Sequence, residues 1–198
     1  PNTVESIGED AFYGCPIENA GLAAWMLDYI QKTNLQTVEV TSGLTIGGVV
    51  DSIKDSAFRG CKNLTSVRIW TVADSKTSIG GYAFYGCSNL TSVTIGHGVT
   101  TIGSYAFANC DSLRTITIPY GVTAIATGAF RDCDNFTGIT IAKSVTEIRD
   151  EAFSGCSNLT SIAFEGTIEE WKYVTKCLDW NANVPSTEVI CSDGRVAL

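Results

Sequence analysis

The chain has 198 residues and 44% of them are apolar, enough to bury one sizeable core. Its formal net charge is −8, which argues against nucleic acid or an anionic membrane surface as partner, since both call for clustered Lys and Arg. No apolar run is long enough to span a bilayer.

Pro1-Asn-Thr-Val4-Glu-Ser-Ile7 opens the chain, and its pattern returns at Pro119-Tyr-Gly-Val122-Thr-Ala-Ile125. The opening thus falls inside a repeat, and the chain is expected to be a piece of a longer protein. The repeat is marked by an Ala-Phe pair at Phe12, Phe58, Phe84, Phe107, Phe130 and Phe153. Successive Phe residues are 46, 26, 23, 23 and 23 positions apart, so the period is 23. The first step spans two periods and hides a degenerate stretch, and the second carries three extra residues near Trp70–Thr77.

Between Phe12 and Phe58 the pattern changes. Leu22, Trp25, Met26, Tyr29 and Ile30 follow the spacing of an amphipathic helix, which predicts a helical insertion over about 19–32. A partner-binding helix anchored by Trp25 is the alternative to simple packing on the flank. A strand is expected at Leu35–Val40, followed by an irregular loop over Thr41–Asp51 with Gly43, Gly47 and Gly48. Regular coils then run from Ile53 to Phe164. In each, Ala-Phe-x-Gly-Cys is too short for a helix and reads as one tight turn. The residue two after Phe is Gly14, Gly60, Gly86, Asn109, Asp132 or Gly155, all types that tolerate left-handed backbone. A Leu and an alternating apolar pair follow, such as Val93/Ile95 and Ile116/Ile118, and these read as a strand. One coil cannot bury its own apolar face, so the coils must stack, with a parallel sheet on one side.

The spacing Ile-x(3)-Ala-Phe-x(2)-Cys-x(2)-Leu-x(2)-Ile-x-Ile-Pro-x(2)-Val, seen from Ile102 to Val122, resembles the BspA-type leucine-rich repeat. The resemblance implies an α/β repeat fold: a right-handed leucine-rich-repeat horseshoe with parallel strands and short helical turns. It implies a place in a large secreted or cell-surface protein, and it transfers no catalytic residue. The solenoid is expected over 1–166 and a C-terminal cap over 167–198. In the cap, Thr167-Ile-Glu-Glu170 has capping-box form, and Trp171, Val174, Thr175 and Leu178 form a helical stripe. A turn at Asp179–Asn183 and a strand at Thr187–Cys191 follow, with Trp171 and Trp180 as lids over the last coil.

Six of the eight cysteines share one repeat slot, three residues after each Phe. Their side chains would run parallel, so they read as small buried hydrophobes rather than disulfides or metal ligands. Cys177 and Cys191 lie outside this ladder and form the one pair considered for a disulfide. The single histidine, His97, falls in an exposed corner with no nucleophile-elbow motif to serve; no catalytic, metal or cofactor site is expected. Asn63, Asn89, Asn135 and Asn158 each begin an Asn-x-Thr sequon, explained without sugar by a turn slot that suits unusual Asn backbone angles. The outward strand positions are rich in Ser and Thr. An extended face of this kind suits recognition, and Glu39, Arg68, Trp70, Thr94, Thr117, Tyr120 and Thr140 are the candidate partner-binding residues. The expected function is a monomeric, non-enzymatic adhesion or protein-interaction module. Its partner would be a host matrix or cell-surface protein or a glycan; a structural spacer is the alternative.

Overall fold

The computed structural model describes residues 6–7, 43–48, 52–71 and 76–198. The expected helix over about 19–32, the strand at Leu35–Val40 and Glu39 lie outside these residues. What is described is a parallel-strand solenoid of about six turns with almost no helix.

Each coil contributes to two sheets. The first runs β1 (Ser6–Ile7), β3 (Ser52–Ile53), β5 (Thr77–Ile79), β7 (Val99–Ile102), β9 (Ala124–Ile125), β11 (Glu147–Ile148) and β13 (Thr175–Lys176), in that order. Its strands are mostly two residues long, and β3, β5, β7, β9 and β11 each end just before an Ala-Phe turn. The longer strands fall into two further sheets. One holds β2 (Gly43–Gly48), β4 (Ser66–Thr71) and β6 (Ser92–Ile95). The other holds β8 (Thr115–Ile118), β10 (Gly138–Ile141), β12 (Ser161–Phe164), β14 (Glu188–Cys191) and β15 (Gly194–Ala197). Only the last pair, β14 with β15, is antiparallel among the paired strands. The expectation of a parallel sheet on one side was thus incomplete: a second sheet is built from strands too short to show alternation.

The expected loop at Thr41–Asp51 is corrected too. Residues 43–48 form β2, with Leu44 opposite Val67 and Ile46 opposite Ile69. The step of 23 residues is the repeat period, so the degenerate coil keeps its strand. Leu44 and Ile46 are buried; the flanking glycines only masked the alternation.

Burial explains the repeat slots. Phe58, Phe84, Phe107, Phe130 and Phe153 form one column with neighbouring centroids 5.1–5.8 Å apart and planes within 13°. Beside it, each cysteine is buried and does more than fill space. The thiols of Cys87, Cys110, Cys133 and Cys156 donate to the carbonyls of Phe58, Phe84, Phe107 and Phe130, at 2.9–3.3 Å. Alanine would fit the slot but leave that carbonyl with one partner fewer. Burial pushes the Cys87 and Cys110 thiols far above their ordinary range, and their sulfurs stay protonated.

The turns divide their N–H groups between two duties. Ala57, Arg59 and Cys61 donate within the coil, to Lys54, Ser56 and Phe58. Ser56, Phe58 and Gly60 donate across to Gly81, Ala83 and Tyr85 of the next coil. No amide in this alternation is stranded, as buried backbone requires. The geometry needs two left-handed residues four apart, seen at Tyr82 and Gly86, Tyr105 and Asn109, and Glu151 and Gly155. The first of each pair was not anticipated.

The asparagine slot needed a different explanation. Asn89, Asn135 and Asn158 do not have positive φ. Their Nδ2 groups instead donate to the carbonyls of Lys62, Asp111 and Asp134 on the preceding coil, at 2.6–2.8 Å. They stitch neighbouring coils together.

At the C-terminal end, α1 (Ile168–Tyr173) is capped as its sequence predicts: Glu170 N–H donates to Thr167 Oγ1 and Thr167 N–H to Glu170 Oε2. The helix stops at Tyr173, so the expected stripe ends early; Thr175 enters β13 and Leu178 is exposed. Trp171 and Trp180 are buried, and Trp180 sits edge-on to Phe153 at 5.9 Å. Residues 175–191 also continue both sheets. Asp179 and Asn183 repeat the two left-handed positions, and Phe153 N–H donates to the Trp180 carbonyl as Phe130 N–H does to Ala152. Cys177 and Cys191 are free thiols; the disulfide considered between them is not formed.

Candidate interaction face

Arg68, Thr94, Thr117 and Thr140 sit on the long strands, where alternation leaves every second side chain pointing out. In β6 and β8 the pattern is exposed-buried-exposed-buried. Register then sets neighbours. Thr45, Arg68 and Thr94 are aligned across β2, β4 and β6, and Gly43, Ser66 and Ser92 form the row beside them. Thr117 is opposite Thr140 across β8 and β10. The backbone of Trp70 lies in β4 opposite Gly47. Tyr120 lies at the corner after β8 and is 63% exposed.

The face is divided. No ladder joins β6 to β8, so Thr94 and Thr117 belong to separate sheets. At the end of the other strands a backbone N–H reaches back to the previous coil: Gly96 to Ile69, Ala142 to Ile118 and Glu165 to Ile141. Pro119 holds the equivalent place after β8 and has no N–H to give. The structure brings Arg68 together with Thr94, and Thr117 with Thr140, but does not join the two groups into one site.

The first group borders a groove with a volume of ≈ 190 Å³. Gly43, Thr45, Ser66, Arg68, Ser92 and Thr94 line it, with Leu44 and Val67 between the rows. Gly43 opens it: a Cβ there would fall 2.5 Å from Ser66 Oγ. Arg68 is exposed and has no ion pair among the described residues. Of the other arginines among the described residues, three are held in ion pairs, while Arg114, just before β8, is exposed. Arg131 pairs with Asp132 and Glu151, Arg149 with Glu147, and Arg195 with Glu188.

One cluster escaped the sequence reading. Tyr82 and Tyr105, in successive left-handed positions, stack at 5.1 Å, with Arg59 over the rings of Tyr82 and Tyr85. Tyr105 also donates to Glu151 Oε2 at 3.4 Å, and its ring fills the space that a Cβ at Gly128 would need. The rings are spent on one another and on Arg59. The only signal in the sequence was Tyr recurring two residues before Phe at a 23-residue step.

Comparison with known proteins follows the same repeat. Residues 1–75 and 77–174 match the family described as BspA type leucine rich repeat region, in six copies. Among solved structures, a leucine rich cell surface protein from Faecalibacterium prausnitzii is 32% identical with a TM-score of 0.63, over 68% of this chain and 35% of that one. This chain therefore spans about a third of that protein's length. The leucine rich repeat protein of T. pallidum is 23% identical with a TM-score of 0.54, over 76% of this chain and 78% of that one; this likeness is one of fold. No curated protein matches the chain.

Proposed function

We propose, from the premise that this chain belongs to the BspA-type leucine-rich-repeat family, that it is a non-enzymatic interaction module which holds other proteins through its strand face. In this reading it is a monomeric part of a larger secreted or cell-surface protein and serves adhesion. The solved relative from Faecalibacterium, described as a cell surface protein, supports that placement. Residues 1–166 form the recognition solenoid and 167–198 close its end. No helix among the described residues is long and apolar enough to cross a membrane.

One observation carries the proposal. Side chains in the turns are committed inside the molecule: Asn89, Asn135, Asn158, Thr91 and Thr137 all donate to a neighbouring coil. The outward side chains Ser66, Arg68, Ser92, Thr94, Thr117 and Thr140 make no hydrogen bond within the described residues. A regular face with its hydrogen-bonding capacity unspent is what a partner can use. A glycan reading would want rings lying flat and open, and the tyrosine cluster instead closes on itself.

The test is a binding screen of the purified chain against matrix and cell-surface proteins alongside a glycan array. A Thr117→Lys/Thr140→Lys variant alters the face while leaving the core alone. A protein partner lost or weakened by that variant or by Arg68→Ala is the expected result. Binding unchanged in both variants, or silence against all proteins, would defeat the proposal.

A further inference from the structure

The geometry points to the Arg68 groove as a docking site for a carboxylate side chain of the partner, an Asp or Glu on an extended acidic segment. This deepens the interaction reading and rests on it. Among the described residues, Arg68 is the one charged side chain at outward positions of β2, β4, β6, β8, β10 and β12. It stands on a chain of net charge −8 yet has no acidic partner among the described residues. A guanidinium presents donors in a fixed fork that fits a carboxylate with two parallel hydrogen bonds.

The surroundings favour the same ligand. Thr45 and Thr94 flank Arg68 in register, and Ser66 and Ser92 form the adjoining row. Their hydroxyls can turn to donate, adding neutral donors around the bound oxygens. Gly43 keeps the floor open beside Ser66, and ≈ 190 Å³ accommodates one side chain and excludes a folded element. Among the described residues no carboxylate lines the groove to repel an acidic ligand, and no aromatic ring lines it to stack on a sugar. The second point favours an acidic peptide over an acidic glycan.

The experiment titrates the isotopically labelled chain with N-acetylated hexaglutamate amide and, in parallel, with a hexuronic acid oligomer of equal charge, followed by backbone amide NMR. The expected result is saturable shifts centred on residues 66–68 and 92–94 with the peptide, weakening as salt is raised. Arg68→Ala should lower affinity by about tenfold or more, as for loss of a charge-assisted hydrogen bond, and Arg68→Glu should abolish it. Arg68→Lys should recover part of the affinity, since it restores charge without the fork. Amide spectra of the variants must otherwise overlay those of the wild type, so that misfolding is separated from lost contact. Peptide binding that Arg68→Ala leaves unchanged, no shifts at these residues, or a clear preference for the oligouronate would each overturn the inference. A protein partner found in the screen but indifferent to Arg68→Ala would also sink it while leaving the interaction reading intact. Hexaglutamate bound at Arg68 with a silent screen would do the reverse.

Discussion

Replacing Phe107 with alanine removes the middle member of the aromatic column. The ring is wholly buried and stacks at 5.1 Å on Phe84 and 5.7 Å on Phe130. Returning a buried Phe to water costs about 1.5–3 kcal/mol. Two lost ring contacts at about 0.5–1.5 kcal/mol each add about 1–3 kcal/mol. The neighbouring coils are pinned by inter-coil hydrogen bonds on both sides of the turn, such as Phe84 N–H to Ala106 and Phe107 N–H to Ala129, so they have little freedom to collapse into the void. A loss of about 3–5 kcal/mol is expected, the range of core Phe truncations. Urea unfolding followed by circular dichroism measures it, with Thr117→Ala as a surface control expected to stay within about 0.5 kcal/mol. The denaturant slope should be unchanged if the solenoid unfolds as one unit. A loss below about 1 kcal/mol would refute the claim that this column is the structural spine.

Other expectations follow from the slots beside it. Cys110→Ala removes the thiol donated to Phe84 and should cost about 1 kcal/mol, or somewhat more with the cavity, by the same assay. The buried thiols also set an alkaline limit. The folded values of Cys87 and Cys110 lie above the ordinary 9.0, so above that pH the unfolded chain loses protons that the folded chain keeps. Stability is therefore full below about 9 and should fall by about 1.4 kcal/mol per pH unit per thiol at higher pH; a urea midpoint flat from pH 8 to 10.5 would contradict this. Thr167→Ala strips the capping box from α1 and should cost about 1 kcal/mol, read as a lower urea midpoint. Asn135→Ala cuts one stitch to the preceding coil at Asp111 and should cost about 0.5–1.5 kcal/mol; no change would mean water replaces that bond without loss.

Much of this architecture could be read from residue spacing because a solenoid repeats its packing problem every 23 residues. Phe107, Cys110 and Leu113 each announce a slot whose burial the fold then requires. What spacing could not show was anything shorter than its own signal. The strands ending in Ile53, Ile125 and Ile148 span two residues, too few for alternation. Leu44 and Ile46 were hidden among glycines that look like a loop. Leu178 fitted a helical stripe on paper, but the helix yields after Tyr173 so that Thr175 can pair with Glu147. Cysteine and asparagine were assigned to the right slots for incomplete reasons, since their bonds reach to the preceding coil, 24 to 29 positions back in sequence. The candidate face was legible as a face. Its division at Pro119 was not, because one missing N–H matters only once the equivalent residues are seen donating.

The aromatic column also acts as a gauge for length. Phe84, Phe107 and Phe130 are separated by equal steps of 23 residues and meet through nearly parallel planes. A deletion that joins Ile102 to Ala126 would remove one whole coil and bring Phe84 against Phe130, with every slot still filled by its own kind. A deletion of a fraction of a turn between an Ala-Phe pair and the strand that follows it would set Phe against Cys or Ala; the three extra residues between Phe58 and Phe84, by contrast, leave those rings stacked at 5.1 Å. The fold therefore permits growth and shrinkage in whole turns, with small additions absorbed outside the column, so the reach of such a molecule is adjustable in discrete increments without redesigning its core.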